Sequence, residues 1–178
     1  MQPNGIHFEI LHSRHLPQLL SYLSALSPRT QQRFAPHAFE AEAIWQFYQP
    51  EQQHNGYIAI EASSGKIIGY FVVKRSFLQH DAPRLQSYGL RLHPITDFTI
   101  APSVADDWQG KGLAGPMLQF VLEDIRQQGA ERLLLWGGVQ QSNIAAVRFY
   151  EKHGFEAIGQ FEYAGMNTDM LLTLTQST

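Results

Sequence analysis

The sequence predicts one α/β domain over residues 1–178, in which β-strands are packed with helices. Strand-like and helix-like segments alternate along the chain, and no Pro/Gly/Ser-rich linker is long enough to separate two domains. A length of 178 residues is typical of one domain. Hydrophobic residues make up 44% of the chain and aromatic residues 12%, which is enough for a sizeable core.

The N-terminal part of the chain predicts one strand and two helices. Residues 5–11 alternate apolar and polar side chains, as a half-buried strand does. Residues 15–26 carry leucines at helical spacing, and Pro28 ends that helix. Residues 28–32 are polar and are interpreted as a link to a second helix near residues 38–48.

The middle of the chain predicts a hairpin, a surface excursion and a further strand. Residues 57–61 and 66–74 are rich in β-forming side chains, and the Ala-Ser-Ser-Gly sequence between them predicts a hairpin turn. Residues 76–92 are polar and irregular, which indicates a surface excursion. Residues 97–104 predict a strand in which Pro102 requires a bulge or an interrupted ladder, because proline has no N–H to donate.

The C-terminal part predicts two helices and three strands. A glycine-rich turn at residues 109–115 opens a helix that runs to about residue 128, with apolar side chains on one face. Residues 132–136 form an apolar run, the pattern of a strand covered on both faces. A helix over 143–153 follows, and strands are predicted near 155–161 and 169–175.

Composition excludes several classes of protein. Lys and Arg number 13 against 16 Asp and Glu, a net charge of −3, so the basic surface of a nucleic-acid binder is absent. With no cysteine, the chain has no disulfide framework, zinc ribbon, iron–sulfur cluster or thiol nucleophile. Histidine spacing of the H-E-x-x-H kind is also absent, so no metal site is expected. The start lacks a signal-peptide pattern and no segment approaches the ~20 apolar residues of a membrane span, so we expect a cytoplasmic protein without a membrane partner.

The turn QGKGLAG at residues 109–115 is the strongest chemical signal. Glycines let a backbone approach a ligand closely, and the first N–H groups of a helix can hold an anion such as a pyrophosphate. Pro116 lacks an N–H and suits the first turn of a helix, which is therefore predicted to begin near Leu113 or Ala114. A glycine-rich connection that binds nothing is the alternative.

The same glycines match the dinucleotide pattern G-x-G-x-x-G, but their surroundings do not fit it. Residues 106–109 separate the preceding strand from the first glycine, and the next strand ends at residues 136–138 without the carboxylate that a ribose requires. No Walker A sequence occurs either. A dinucleotide site is therefore not predicted.

Two motifs resemble the signatures of the GNAT N-acetyltransferase superfamily. Residues 104–114 read VADDWQGKGLA, which is similar to that family's acyl-CoA signature, [Arg/Gln]-x-x-Gly-x-[Gly/Ala] after a strand that ends in Val. Residues 143–155 read NIAAVRFYEKHGF and are similar to its second signature, N-x-x-A-x-x-F-Y-x-x-x-G-F. The resemblance implies the GNAT-like acyl-CoA N-acyltransferase fold, with a mixed, mostly antiparallel sheet flanked by helices.

The resemblance also implies the residues that bind the cofactor. The preceding strand would pair with the pantetheine arm of CoA, and Pro102 departs from the family pattern because it has no N–H for this contact. Either Pro102 splays the strand from its neighbour or the amide of Val104 makes the contact, and we expect both. The turn amides would hold the CoA pyrophosphate, which assigns this role to Gln109, Gly110, Lys111, Gly112, Leu113 and Ala114.

Two further residues take roles from the second motif. Tyr150 would be the general acid that protonates the departing CoA thiolate, and Asn143 would contact the cofactor arm. With Val147 they stand at i, i+4 and i+7 and therefore share a helix face. The structural alternatives are that Asn143 caps the helix and that Tyr150 is a core aromatic residue.

A general base should remove a proton from the acceptor amine, because an ammonium has no lone pair with which to attack. Asp97 is the first candidate, since several family members carry an acidic base on this strand, and a solvated strand-end carboxylate is the alternative. His93 is a weaker candidate. The aromatic segment at residues 34–48 would lie on the acceptor side in this family, although such a stripe is more often core than pocket.

The sequence therefore predicts an N-acetyltransferase that moves an acetyl group from acetyl-CoA to a primary amine of a small molecule or peptide. Transfer would be direct, in a ternary complex, because neither a cysteine nor a G-x-S-x-G turn offers a nucleophile. The alternative is a non-catalytic acyl-CoA-binding regulatory module, which would not need Tyr150. The identity of the acceptor and formation of a homodimer are left open.

Overall fold

The computed structural model describes residues 5–174 and confirms the mixed α/β class. Within these residues the strands form one eight-stranded sheet. The strands are β1 Ile6–Ile10, β2 His54–Glu61, β3 Ile67–Lys74, β4 Asp97–Val104, β5 Arg132–Leu135, β6 Val139–Gln140, β7 Glu156–Glu162 and β8 Met166–Thr173. Residue 175, the last of the predicted final strand, lies outside the described residues.

The sheet is mixed and mostly antiparallel, as the family resemblance implies. Strand order is β1-β2-β3-β4-β5-β8-β6, and β7 pairs with β8 as well. The pairs β1–β2, β5–β8, β6–β8 and β7–β8 are antiparallel, whereas β4 and β5 run parallel. The predicted hairpin is present, and the N–H of Glu61 donates to the carbonyl of Lys66 at its closed end.

Six helices accompany the strands within the described residues. They are α1 Leu16–Ala25, α2 Pro28–Arg33, α3 Ala41–Phe47, α4 Ala82–Ser87, α5 Ala114–Gln127 and α6 Ile144–Lys152. Single 3-10 turns occupy Ser13–His15, Pro50–Gln52 and Asp106–Trp108. Among residues 5–174, none of these helices has the length and apolar character needed to cross a bilayer.

Two of these helices were not predicted. The polar stretch interpreted as a link is α2, because Pro28 suits its first turn and the Ser27 hydroxyl accepts the N–H of Thr30 as an N-cap. The predicted surface excursion contains α4, whose Leu85 is buried against Leu134 and Leu171. Both segments are polar in sequence, and only a cap or a single buried leucine distinguishes them from loops.

By contacts, the chain divides into two compact units. One comprises residues up to Val73 together with Ala101–Asp124, and the other comprises Lys74–Ile100 and the residues from Ile125 onward. In the first unit a Cβ at Gly69 would come within 2.9 Å of Met117 Sδ, so this glycine lets α5 approach β3 closely. In the second unit the buried leucines beside α4 form a core cluster.

Pro102 lies where a ladder ends. The pairing of β4 with β5 covers Asp97 to Ile100, and the N–H of Trp136 then donates to the carbonyl of Ile100 at 2.9 Å. The hydrogen-bond ladder between β4 and β5 therefore ends before Pro102, in agreement with the predicted interrupted ladder. The missing N–H costs this pairing nothing.

Candidate active site

The glycine turn between β4 and α5 adopts a conformation that only glycine accommodates well. Gly110 and Gly112 have φ values of 71° and 78°, and a Cβ built at either would meet no heavy atom within 4 Å. Their conformation therefore requires glycine, while the space above them is open. Helix α5 begins at Ala114, as the position of Pro116 predicts.

The backbone N–H groups of this turn have no protein acceptor. Within the described residues, those of Gly110, Lys111, Gly112, Leu113 and Ala114 make no hydrogen bond to backbone or side chain. Leu113, only 2% exposed, anchors the turn in the core of its unit. A run of unpaired amides ahead of a helix is the arrangement that binds phosphate groups.

Gln109 differs from the rest of the turn, because its backbone N–H, which the resemblance assigns to the pyrophosphate, donates to the carbonyl of Asp106 at 3.3 Å. The amide nitrogen of Gln109 donates to the carbonyl of Val104 at 3.1 Å and to Thr30 Oγ1 at 3.3 Å. The Gln109 side chain therefore holds the turn to its surroundings. The Lys111 ammonium lies 5.7 Å from the centroid of the Trp108 ring.

Tyr150 lies in α6 of the second unit and is 8% exposed. Its ring packs edge-on against Phe149 and Phe155, with centroids 5.5 and 5.3 Å away. The hydroxyl makes no hydrogen bond to another described residue. Burial raises the pKa of Tyr150, which keeps the phenol protonated and makes it a weaker acid.

Asn143 precedes α6 at the N-cap position, but its side chain makes no capping hydrogen bond. Its carbonyl accepts the N–H of Val147 at 3.0 Å, so the backbone starts the helix without the side chain. The capping role considered as the alternative is not observed. The amide of Asn143 is half-buried and available for a ligand.

Asp97 does not have the surroundings expected of a base. It is completely buried, and Arg132 donates to Oδ1 at 2.6 Å from Nε and to Oδ2 at 2.7 Å from a terminal nitrogen. The backbone N–H of His93 donates to Oδ2 at 2.7 Å as well. These contacts argue against both the base role and the solvated carboxylate, because the lone pairs are committed to a buried ion pair. The sequence places Arg132 35 residues further on, where nothing local connects it to Asp97.

The aromatic segment at residues 34–48 is partly core and partly surface. Phe34 is buried, and Trp45 is 59% exposed. Phe39, Phe47 and Tyr48 lie between these extremes. The interpretation as core therefore holds for Phe34 and fails for Trp45.

A polar chain within the first unit was missed at the sequence level. His37 Nδ1 lies 2.8 Å from the carbonyl of Ala38 and must donate to it, which leaves Nε2 to accept the hydroxyl of Tyr70 at 2.9 Å. Tyr70 is also hydrogen-bonded to Tyr48. Burial lowers the pKa of His37 and raises those of both tyrosines. Tyr70 sits in an otherwise apolar strand, so its sequence context shows no sign of this network.

No trio of His, Cys, Asp or Glu side chains gathers as metal ligands would in residues 5–174. The His93 side chain is exposed.

Comparison with known proteins identifies the class. The model of the acetyltransferase (GNAT) family matches residues 21–155, more than half of the chain. The chain belongs to this family. This confirms the family resemblance that the two motifs predict.

The chain is similar to several individual proteins over part or all of its length. It is 32% identical to mycothiol acetyltransferase of Corynebacterium aurimucosum over 43% of this chain and 26% of that protein. It is 33% identical to an L-methionine sulfoximine/L-methionine sulfone acetyltransferase of Pseudomonas paraeruginosa over 40% of this chain and 41% of that protein. The chain thus spans less than half the length of these curated relatives. The structure of yncA from Salmonella typhimurium, solved with its cofactor acetyl-CoA, shares the fold at a TM-score of 0.69 and 16% identity, covering 98% of this chain and 96% of that chain.

Proposed function

We propose that the chain acts as one GNAT domain that transfers an acetyl group from acetyl-CoA to a primary amine. The observation that carries the proposal is the row of unpaired backbone N–H groups from Gly110 to Ala114, which lies in the family's acyl-CoA motif. The acetyltransferase relatives and the fold shared with a protein solved with acetyl-CoA support the choice of cofactor.

The turn suits a diphosphate in two respects. Its amides supply hydrogen bonds and the positive end of α5, and the open space at Gly110 and Gly112 leaves room for phosphate oxygens. Lys111 adds an exposed positive charge. Val104 and Asn143 would contact the arm that carries the acyl group, in the roles that the family resemblance implies.

Bound acetyl-CoA supplies an acetyl group activated as a thioester, which the acceptor amine attacks directly in a ternary complex. A C–N bond forms as the C–S bond breaks, and Tyr150 donates its proton to the departing thiolate. A phenol with a raised pKa gives up a proton only to a strongly basic partner, so the transfer requires that desolvation raise the pKa of the departing thiol as well. Before attack the ammonium loses one proton to water or to a base other than Asp97, whose oxygens are both engaged. The second proton that the nitrogen loses on becoming an amide returns through water to the Tyr150 phenolate.

A coupled thiol-release assay tests the proposal against the rival of a CoA-binding regulatory module. The panel contains small alkyl and aryl amines, peptides with free N-termini and L-methionine sulfone, with CoA binding measured in parallel by calorimetry. We expect CoA binding and acetyl-CoA-dependent thiol release with at least one amine. CoA binding with no thiol release from any amine would favour the regulatory module, and no CoA binding would refute both.

The finer predictions from the sequence stay predictions. They are the cytoplasmic location, a small-molecule or peptide amine as acceptor, the open question of a homodimer, and the absence of metal, nucleic-acid and membrane partners.

A further inference from the structure

Helix α2 is attached to the glycine turn through one carboxylate. Asp106 lies in the 3-10 turn that precedes the glycines, and its oxygens accept three hydrogen bonds from the start of α2. Ser27 donates from its N–H at 2.8 Å and from its hydroxyl at 2.7 Å, and the hydroxyl of Thr30 donates at 2.6 Å. All of these residues belong to the first unit. We call Ser27, Thr30, Asp106 and Gln109 the α2 clasp.

Thr30 is the centre of the α2 clasp. Its hydroxyl donates to Asp106 and at the same time accepts the side-chain N–H of Gln109, whose other bond holds the carbonyl of Val104. One hydroxyl thus ties α2 to both the beginning of the turn and the end of β4. These bonds use the single donor and one of the two acceptor lone pairs of the hydroxyl, and Ser27 Oγ lies 3.2 Å from the same oxygen.

The turn needs such support because, within residues 5–174, its N–H groups from Gly110 to Ala114 make no hydrogen bond of ordinary geometry. Its amides, from Gly110 to Ala114, are unpaired, which makes them available to an anion and also leaves the turn conformation unsupported. Glycines at positive φ widen the range of conformations that the unbound turn could sample. Ordering a loop when a ligand binds weakens the affinity, and restraint before binding recovers it.

The α2 clasp also engages a negative charge beside the anion site. Partial desolvation opposes ionisation, but the bonds from Thr30 and Ser27 outweigh it and lower the pKa of Asp106. Asp106 therefore stays ionised at neutral pH. The Asp106 carboxylate oxygens accept hydrogen bonds from Ser27 and Thr30 and none from the turn amides.

We propose that Thr30 and Asp106 are positioning residues that hold the glycine turn in its CoA-binding conformation without contacting the cofactor. This inference rests on the proposed function, because it concerns affinity for CoA. It assigns α2 a task that neither motif of the sequence indicates.

The test compares Thr30→Val, which keeps the shape and removes both hydroxyl bonds, with Thr30→Ser, which keeps the hydroxyl. Asp106→Asn is a second variant that weakens the same bonds. The matched control is Ser64→Ala, which removes another exposed hydroxyl–carboxylate bond, to Glu61, in the β2–β3 turn. The readouts are the calorimetric Kd for CoA, kcat and KM for acetyl-CoA, and Tm.

We expect Thr30→Val and Asp106→Asn to raise the Kd for CoA about tenfold, the effect of losing one or two hydrogen bonds to a charged group. The KM for acetyl-CoA should rise with it while kcat at saturation is unchanged. Thr30→Ser and Ser64→Ala should bind CoA as the original protein does. A merely structural role would lower Tm without this split between KM and kcat.

Unchanged CoA affinity in both Thr30→Val and Asp106→Asn would overturn the inference and leave the proposed function standing. An equal loss of CoA affinity in Ser64→Ala would also overturn the inference, because the effect would not be specific to the α2 clasp. Failure of the original protein to bind CoA would overturn the proposed function first and this inference with it.

Discussion

Arg132 binds both carboxylate oxygens of Asp97, at 2.6 and 2.7 Å, in a site where Asp97 has no exposed surface. The two residues stand opposite each other in the parallel register of β4 and β5. The ion pair therefore joins the first residues of these strands. Such a pair is costly to break from one side, because the remaining charge stays buried without its partner.

Asp97→Asn is expected to destabilise the fold by about 3 kcal/mol while leaving the kcat of the folded protein close to its original value. The amide cannot offer two anionic oxygens to the guanidinium, and its N–H₂ group opposes the donors around it. Urea unfolding followed by circular dichroism measures the loss. Full stability together with lost turnover would show that Asp97 is the base after all.

Tyr150→Phe is expected to lower kcat about 100-fold and to leave the Kd for CoA nearly unchanged. Phenylalanine preserves the ring contacts with Phe149 and Phe155 and removes only the hydroxyl, which has no partner among the described residues. Steady-state kinetics and calorimetry separate the two quantities. Tyr163→Phe, at a tyrosine that is 76% exposed, is the control. Equal losses in turnover and CoA binding would make Tyr150 structural.

Gly112→Val is expected to raise the Kd for CoA at least about tenfold, because a branched side chain would occupy the space proposed for phosphate oxygens. Backbone strain at φ 78° complicates this variant, so Gly65→Val is its control. Gly65 has a φ of 67° and the same open surroundings, in the β2–β3 turn. Both variants should lose similar stability in urea, about 1–2 kcal/mol. Calorimetry that finds CoA binding intact in Gly112→Val would refute the phosphate cradle.

His37→Gln is expected to reduce the loss of stability on acidification. Burial lowers the pKa of His37 below its ordinary value of 6.5, so the unfolded chain takes up a proton first as the pH falls. This contribution is fully present above pH 6.5 and is lost as the pH falls through the lowered pKa of the folded state. Burial is also the largest cause that lowers the pKa of His15. Protonation of His15 therefore reduces stability at low pH as well, equally in His37→Gln and in the original protein.

The measurement is the free energy of unfolding at about pH 7.5 and about pH 5.5. The free energy of unfolding should fall less between these two pH values in His37→Gln than in the original protein. The exposed control His7→Gln should behave as the original protein does. An identical difference in all three proteins would show that protonation of His37 does not oppose folding.

Local patterns predicted the elements whose geometry is set by a few neighbouring residues. Pro116 and the glycines before it place the start of α5 at Ala114, because proline suits a first turn and glycine supplies positive φ. Pro102 likewise predicts the end of the ladder between β4 and β5. By contrast, α2 and α4 were missed because their polar sequences carry no helical periodicity.

The sequence alone placed the glycine turn and indicated the family, because both depend on spacing within short motifs, and the resemblance to that family implied the fold class. The tertiary structure alone determines which distant side chains bind these carboxylates. Arg132 neutralises Asp97 because β4 and β5 align in parallel, and Asp106 binds Thr30 because α2 lies beside the turn. A carboxylate that looks free in a sequence is a base or a structural ion according to which distant donor the tertiary packing brings to it.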